Sequence, residues 1–175
     1  MQICINAGHY PGKDSGAVGQ TGLQEAIVAE EIAHKVCGYL TAVGYETLFV
    51  QENELYQITD ASNAFGADIF VSIHCNAAEN REAKGTETYH VNGSVGGKQL
   101  AACIQDQIID SLGTFDRGIK TAGFYVIKNT DCPAVLIETA FISNTEDECI
   151  LADKKQRDEL ARAISRGITD YVGGR

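Results

Sequence analysis

Short apolar runs and longer amphipathic stretches follow one another along the chain, and their two periods predict strands and helices in turn. The clearest run is Ala67-Asp68-Ile69-Phe70-Val71-Ser72-Ile73-His74, whose β-branched and aromatic residues predict a strand buried on both faces of a parallel sheet. Gln2-Ile3-Cys4-Ile5-Asn6, Tyr45-Glu46-Thr47-Leu48-Phe49-Val50 and Pro133-Ala134-Val135-Leu136-Ile137-Glu138 predict strands as well. Gly85-Thr86-Glu87-Thr88-Tyr89-His90-Val91 alternates with period two and predicts a strand with one wetter face, a candidate sheet edge, with His90 at the surface. Phe124-Tyr125-Val126-Ile127 reads as a short strand and residues 114–120 as a loop.

Helical spacing covers residues 23–43 (Val28, Ile32, Val36, Tyr39, Val43), 56–65, 98–112 (Leu100, Ile104, Ile108, Leu112) and 155–172 (Leu160, Ile164, Ile168, Tyr171), and residues 144–153 read as partly helical. Gly44, Gly66 and Gly113 close three of these helices. Strands alternating with helices predict an α/β fold: a single three-layer domain, mostly a parallel twisted sheet of about six strands, with helices on both faces. A chain of 175 residues suits one core, so residues 1–175 read as one domain.

Composition narrows the function. A net charge of -10 argues against nucleic acid or an anionic membrane surface as partner, since both need clustered Lys and Arg. The apolar runs are strand-sized, so no membrane insertion is expected, and the first residues carry no signal-peptide pattern. Cys4, Cys37, Cys75, Cys103, Cys132 and Cys149 include no C-x-x-C pair and are expected to be reduced, small buried residues. The Gly-rich stretch from Tyr10 to Gly19 has neither phosphate-binding spacing and reads as a loop at the mouth of a site.

Candidate chemistry lies where the strands end. A buried strand normally stops in a turn, yet these stop at His9, His74 and Glu138, on the side of an α/β sheet where ligands bind. Glu25 falls on the apolar stripe of the first helix, in its first turn, where a carboxylate is costly unless paired or bound to a metal. A lone histidine is more often a hydrogen-bonded core residue, and Glu25 could be a wet helix-start acid. Four such residues converging on one sheet edge favour a catalytic zinc site: two imidazoles, one carboxylate, an open position, and a second carboxylate as general base.

Ala7-Gly8-His9, Gly22-Leu23-Gln24-Glu25, Ala67 through Ala77, Arg117-Gly118-Ile119-Lys120 and Pro133 through Asn144 together resemble the zinc-dependent N-acetylmuramoyl-L-alanine amidases of bacterial cell-wall lysis. The resemblance runs nearly end to end. It implies one zinc ion per chain held by His9, Glu25 and His74, Glu138 as catalytic glutamate, and Asn76 and Arg117 as candidates for binding substrate. It also implies the substrate, peptidoglycan, cut between the lactyl group of muramic acid and the first L-alanine of the stem peptide. Action at the cell wall is expected, as an endolysin or autolysin released by lysis or by a removed segment, from a monomer served by a wall-binding domain elsewhere. Family members usually read Gly-His-Gly, whereas Tyr10 and Pro11 follow His9, so the rim of the site is expected to differ. Residues 78–84 are too few for the blocking helix some members insert there, which implies an open site.

Three alternatives stand beside this reading. A zinc carboxypeptidase-like hydrolase would favour a short H-x-x-E pair, which is absent around His9 and His74; a non-catalytic wall-binding module would have lost a ligand or Glu138, and none is lost. A cysteine peptidase using Cys75 or Cys132 would need a helix-start setting that neither residue has.

Overall fold

Strands that are apolar on both sides need cover on both sides, and the chain supplies it from helices set between the strands. The computed structural model describes residues 1–174. In chain order it contains β1 (Gln2–Ala7), α1 (Glu25–Ala42), β2 (Glu46–Val50), α2 (Leu55–Phe65), β3 (Ile69–Asn76), β4 (Thr86–His90), α3 (Val95–Leu112), β5 (Asp116–Thr121), α4 (Tyr125–Lys128), β6 (Ala134–Phe141), α5 (Thr145–Ala152) and α6 (Lys154–Val172). The sheet order is β2-β1-β3-β6-β4-β5, and all pairs are parallel except β4 with β6. This is the expected three-layer α/β arrangement.

Alternation along each strand divides the core in two. Ile3, Ile5, Val71, Ile73, Val135 and Ile137 meet Ile32 and Val36 of α1, Leu100 and Ile104 of α3, and Ile164 of α6. Cys4, Phe70, Ala134 and Leu136 meet Ile58 of α2 and Val126 and Ile127 of α4 in a smaller cluster. The same rows continue past that cluster as Asn6, Ser72, His74 and Glu138, so ionisable residues follow apolar ones on one face. Ser72 Oγ donates to Asn6 Oδ1 at 2.6 Å and Asn6 Nδ2 donates to the Val50 carbonyl at 3.1 Å, which satisfies buried polar groups while pinning β1 between its neighbours.

The structure corrects several expectations. Strands β3 and β6 run beyond His74 and Glu138 to Asn76 and Phe141, so both residues sit within strands. Strand β4 is an interior strand, between β6 and β5. Its apparent wet face is a polar interior: Thr86 Oγ1 donates to the Thr139 carbonyl at 2.7 Å and Thr88 Oγ1 donates to Gln105 at 2.8 Å. His90 is buried for the same reason. Residues 116–120, read as part of a loop, belong to the edge strand β5, disguised by charge, by Gly118 at φ 74° and by a register shift against β4. Residues 124–127, read as a strand, start a single helical turn, since a four-residue apolar run has no resolvable period. Val43 is 65% exposed at the end of its stripe, and Cys149 is exposed.

Candidate metal centre

Strand β1 ends at Ala7, and the Gly8 amide donates to the Ile73 carbonyl at 2.9 Å, which carries the chain across β3 directly over His74. A Cβ at Gly8 would lie 2.5 Å from Nδ1 of that imidazole, so only glycine passes. His9 then takes φ 60°, the one positive value at a non-glycine among the described residues. Such a backbone costs of order 1–3 kcal/mol and persists where surrounding contacts impose it. Here they do: Nδ1 of His9 donates to Oδ2 of Asp14 at 2.7 Å, leaving Nε2 facing Oε2 of Glu25 at 3.2 Å. Asp14 is itself fixed by the Gly16 amide, and a Cβ at Gly16 would meet Oε2 of Glu25 at 2.6 Å.

Glu25 opens α1 and is 4% exposed. Its Oε1 lies 3.0 Å from His74 Nδ1 and accepts the Cys75 amide at 3.0 Å; its Oε2 accepts the Ala17 amide at 2.9 Å. Burial works against its charge, yet hydrogen bonds from His74 and His9 hold the carboxyl well below the usual carboxylate range. The bond to Glu25 above all, with help from Asp14 and against burial, raises His9 to about 9. Donor atoms of His9, Glu25 and His74 all lie within 4.8 Å of one another. One buried anion between two imidazoles, one of them oriented by a second carboxylate, matches the donor chemistry of a zinc site with its outer partner. The sequence reading missed Asp14, whose only signal is its place five residues after His9 in the Gly-rich loop.

The parallel register of β3 and β6 sets Glu138 opposite His74 on the same face. Oε2 of Glu138 is buried without a hydrogen-bond partner. Burial, then the charges of Glu25 and Glu87, raise this carboxyl to about 8. A cation beside it would supply the missing compensation.

Asn76 and Arg117 are gathered on a different carboxylate, Glu87, which the sequence reading did not single out. Glu87 is 3% exposed and faces Glu138 across the antiparallel pair of β4 and β6. Its Oε1 accepts from Asn76 Nδ2 at 2.8 Å and from the Tyr89 hydroxyl at 2.6 Å; its Oε2 accepts from Arg117 Nε at 2.6 Å and from Lys120. The available signal was a glutamate in phase with Tyr89 on a strand, which local sequence cannot tell from a solvated charge. Two further acids brace the loops. Glu148 accepts the Gln20 and Thr21 amides at 3.0 and 2.8 Å, and Asp147 accepts the Gly85 and Phe141 amides, both at 2.8 Å.

A cavity of about 200 Å³ adjoins His9 and His74, lined also by Asp14, Glu52, Leu55, Phe124 and Tyr125. A larger hollow of about 750 Å³ lies by His90, Ser94 and Lys98, away from the triad. Burial pushes the Cys75 thiol well up and the Cys132 thiol to about 11, the opposite of the lowered value that activates a thiol nucleophile. Residues 77–85 form an irregular loop beside the site, and no helix among the described residues is long and apolar enough to cross a membrane.

Known proteins resemble this chain in sequence and in fold. The family described as N-acetylmuramoyl-L-alanine amidase matches residues 3–170. The amidase LytC of Bacillus subtilis is 40% identical over 97% of this chain, which spans 35% of LytC. The endolysin of Bacillus phage SPP1 is 34% identical over 97% of the chain and 65% of its own length. The solved amidase AmiC2 of Nostoc punctiforme superimposes with a TM-score of 0.93 at 31% identity, covering 99% of this chain and 97% of that one. With its sheet, its His-Glu-His cluster and its neighbouring glutamate in place, this chain belongs to the N-acetylmuramoyl-L-alanine amidase family.

Proposed function

We propose that this chain hydrolyses the amide between the lactyl group of N-acetylmuramic acid and the L-alanine of the peptidoglycan stem peptide, with one zinc ion per chain. His9, Glu25 and His74 would hold the metal, and Asp14 would keep His9 turned toward it. When bound, zinc lends Lewis acidity to the scissile carbonyl and makes water a stronger acid. Glu138 accepts the proton of the attacking water at its carboxylate and returns a proton to the leaving nitrogen. A cation next to the buried carboxyl favours the ionised form that this role needs. Asn76 and Arg117 border the same face and contact the substrate. The observation that carries the reading is the register pairing of His74 with Glu138, which sets a buried carboxyl without a partner on Oε2 next to the donor cluster.

The chain acts as a monomer at the cell wall, with attachment to the wall left to a separate module. Support comes from the relatives, since LytC and the SPP1 endolysin are longer than the stretch they share with this chain. The test is a digest of purified peptidoglycan by the zinc-loaded protein, with products identified by mass. Stem peptides with free L-alanine amino termini and glycan with intact lactyl groups are expected. Cuts within the stem peptide would make it a peptidase, and an unchanged wall would make it a binding module.

A further inference from the structure

Resting on the amidase reading, we infer that the cluster built on Glu87 is the subsite for the anionic, peptide side of the substrate, while the cavity beneath Phe124 and Tyr125 takes the uncharged glycan side. The cluster gathers two cations, Arg117 and Lys120, on the single carboxylate of Glu87. Glu87 is enclosed, with a side chain 4% exposed, whereas Arg117 and Lys120 are 30% and 37% exposed and so remain open to a ligand. Arg117 is also fixed in direction: its guanidinium lies over the Phe141 ring at 4.9 Å, and Nη1 donates to the Lys84 carbonyl at 3.4 Å. Among the described residues its Nη2 has no hydrogen-bond partner, and Lys120 Nζ uses one donor of three. A preorganised, part-desolvated guanidinium beside an ammonium is a carboxylate receptor.

The other side of His74 has the opposite character. The cavity there is lined by Asp14 and Glu52 and by no lysine or arginine, so beyond the metal ligands it offers a substrate carboxylate no cationic side chain. Its rim carries Leu55, Phe124 and Tyr125 at 50%, 40% and 44% exposure, apolar and aromatic surface suited to the C–H face of a sugar ring. Phe124 packs edge-on against Tyr89 at 5.2 Å between centroids, and Tyr89 is bonded to Glu87, so the two subsites meet along one rigid line. The scissile amide divides the substrate in the same way. A muramoyl group joined through its lactyl carboxyl carries no charge, and the peptide beyond L-alanine carries carboxylates. Matching charge to charge fixes the direction in which the substrate lies across Glu138.

The full chain, zinc-loaded, is titrated with two dipeptides that differ only in one group: L-alanyl-D-isoglutamate, with its free α-carboxylate, and L-alanyl-D-isoglutamine, in which that carboxylate is an amide. Binding is followed by calorimetry and by NMR of the arginine and lysine side chains. The expected result is about fivefold tighter binding of the free carboxylate, as for a part-exposed charged hydrogen bond, with shifts at Arg117 and Lys120. Lys120→Met should bring the two affinities within about twofold, Lys120→Arg should retain the preference, and Phe124→Ala should leave the ratio as it is. Equal affinities in the unaltered chain, a preference that survives Lys120→Met, or one that falls in Phe124→Ala would overturn the assignment. A wall left uncut in the peptidoglycan digest while the dipeptide preference holds would count against the amidase reading alone.

Discussion

Glu87 and Glu138 face each other across β4 and β6, and the sheet treats them in opposite ways. Glu87 is surrounded by four side-chain donors, which outweigh burial and hold it down at about 2; Glu138 has burial without a partner for Oε2 and is pushed up to about 8. Two adjacent carboxyls pushed apart in this way suit the different jobs proposed for them, Glu87 as a fixed charge and Glu138 as the proton carrier.

The two roles proposed for the site's glutamates separate under amide substitution. Glu138→Gln should retain zinc and lose activity by about 10²–10⁴-fold, the usual worth of a general acid–base group. Glu25→Gln should weaken metal binding itself, because a neutral amide replaces the charged ligand between two histidines. Zinc content and amidase rate in both variants decide it; a metal-free Glu138→Gln beside a zinc-loaded Glu25→Gln would reverse the assignment.

Asp14→Asn should lower zinc affinity by about 10–100-fold, since the acceptor that fixes the tautomer and ring of His9 is lost while every proposed ligand remains. Competition with a chelator measures this, and an unchanged affinity would show that the loop backbone alone positions the ring.

Acid stability should report on Glu87. Its folded-state value lies below the ordinary 4.5, so its contribution is complete above pH 4.5 and fades as pH falls toward about 2, where the folded carboxylate is protonated. Urea midpoints taken between pH 6 and pH 3 should therefore fall less steeply in Glu87→Gln than in the unaltered chain, by about one proton's worth of slope.

For Glu138 the sign is reversed. In metal-free protein its folded value near 8 exceeds the unfolded 4.5, so between these pH values the native state binds more protons and stability declines as pH rises. Infrared difference spectra of the metal-free chain at pH 7 should show a protonated carboxyl that disappears on adding zinc and is missing from Glu138→Gln. A spectrum without that band would mean that the carboxyl is already ionised.

Much of this protein is decided by signals a few residues long. The period of Ile3 and Ile5, of Ile69 to Ile73 and of Val135 to Ile137 marks strands that need cover on both faces, and the stripe from Val28 to Val36 marks the helix that covers them. His9, Glu25, His74 and Glu138 stand out because each is ionisable where the local pattern calls for an apolar residue or a turn, and parallel strand direction alone carries His9, His74 and Glu138 toward one sheet edge. Tertiary structure decided the rest. Asp14 became a partner of His9 through a backbone turn at φ 60°, and β5 became a strand through pairing with β4 despite its charges. Glu87 became the anchor of Asn76, Tyr89, Arg117 and Lys120 through the register of four strands, β3, β6, β4 and β5. Hydrophobic burial acts on single positions and leaves a periodic trace in the sequence. A hydrogen bond between residues up to 33 apart leaves none, because the partner of a buried polar group is set by strand register and not by its neighbours in the chain.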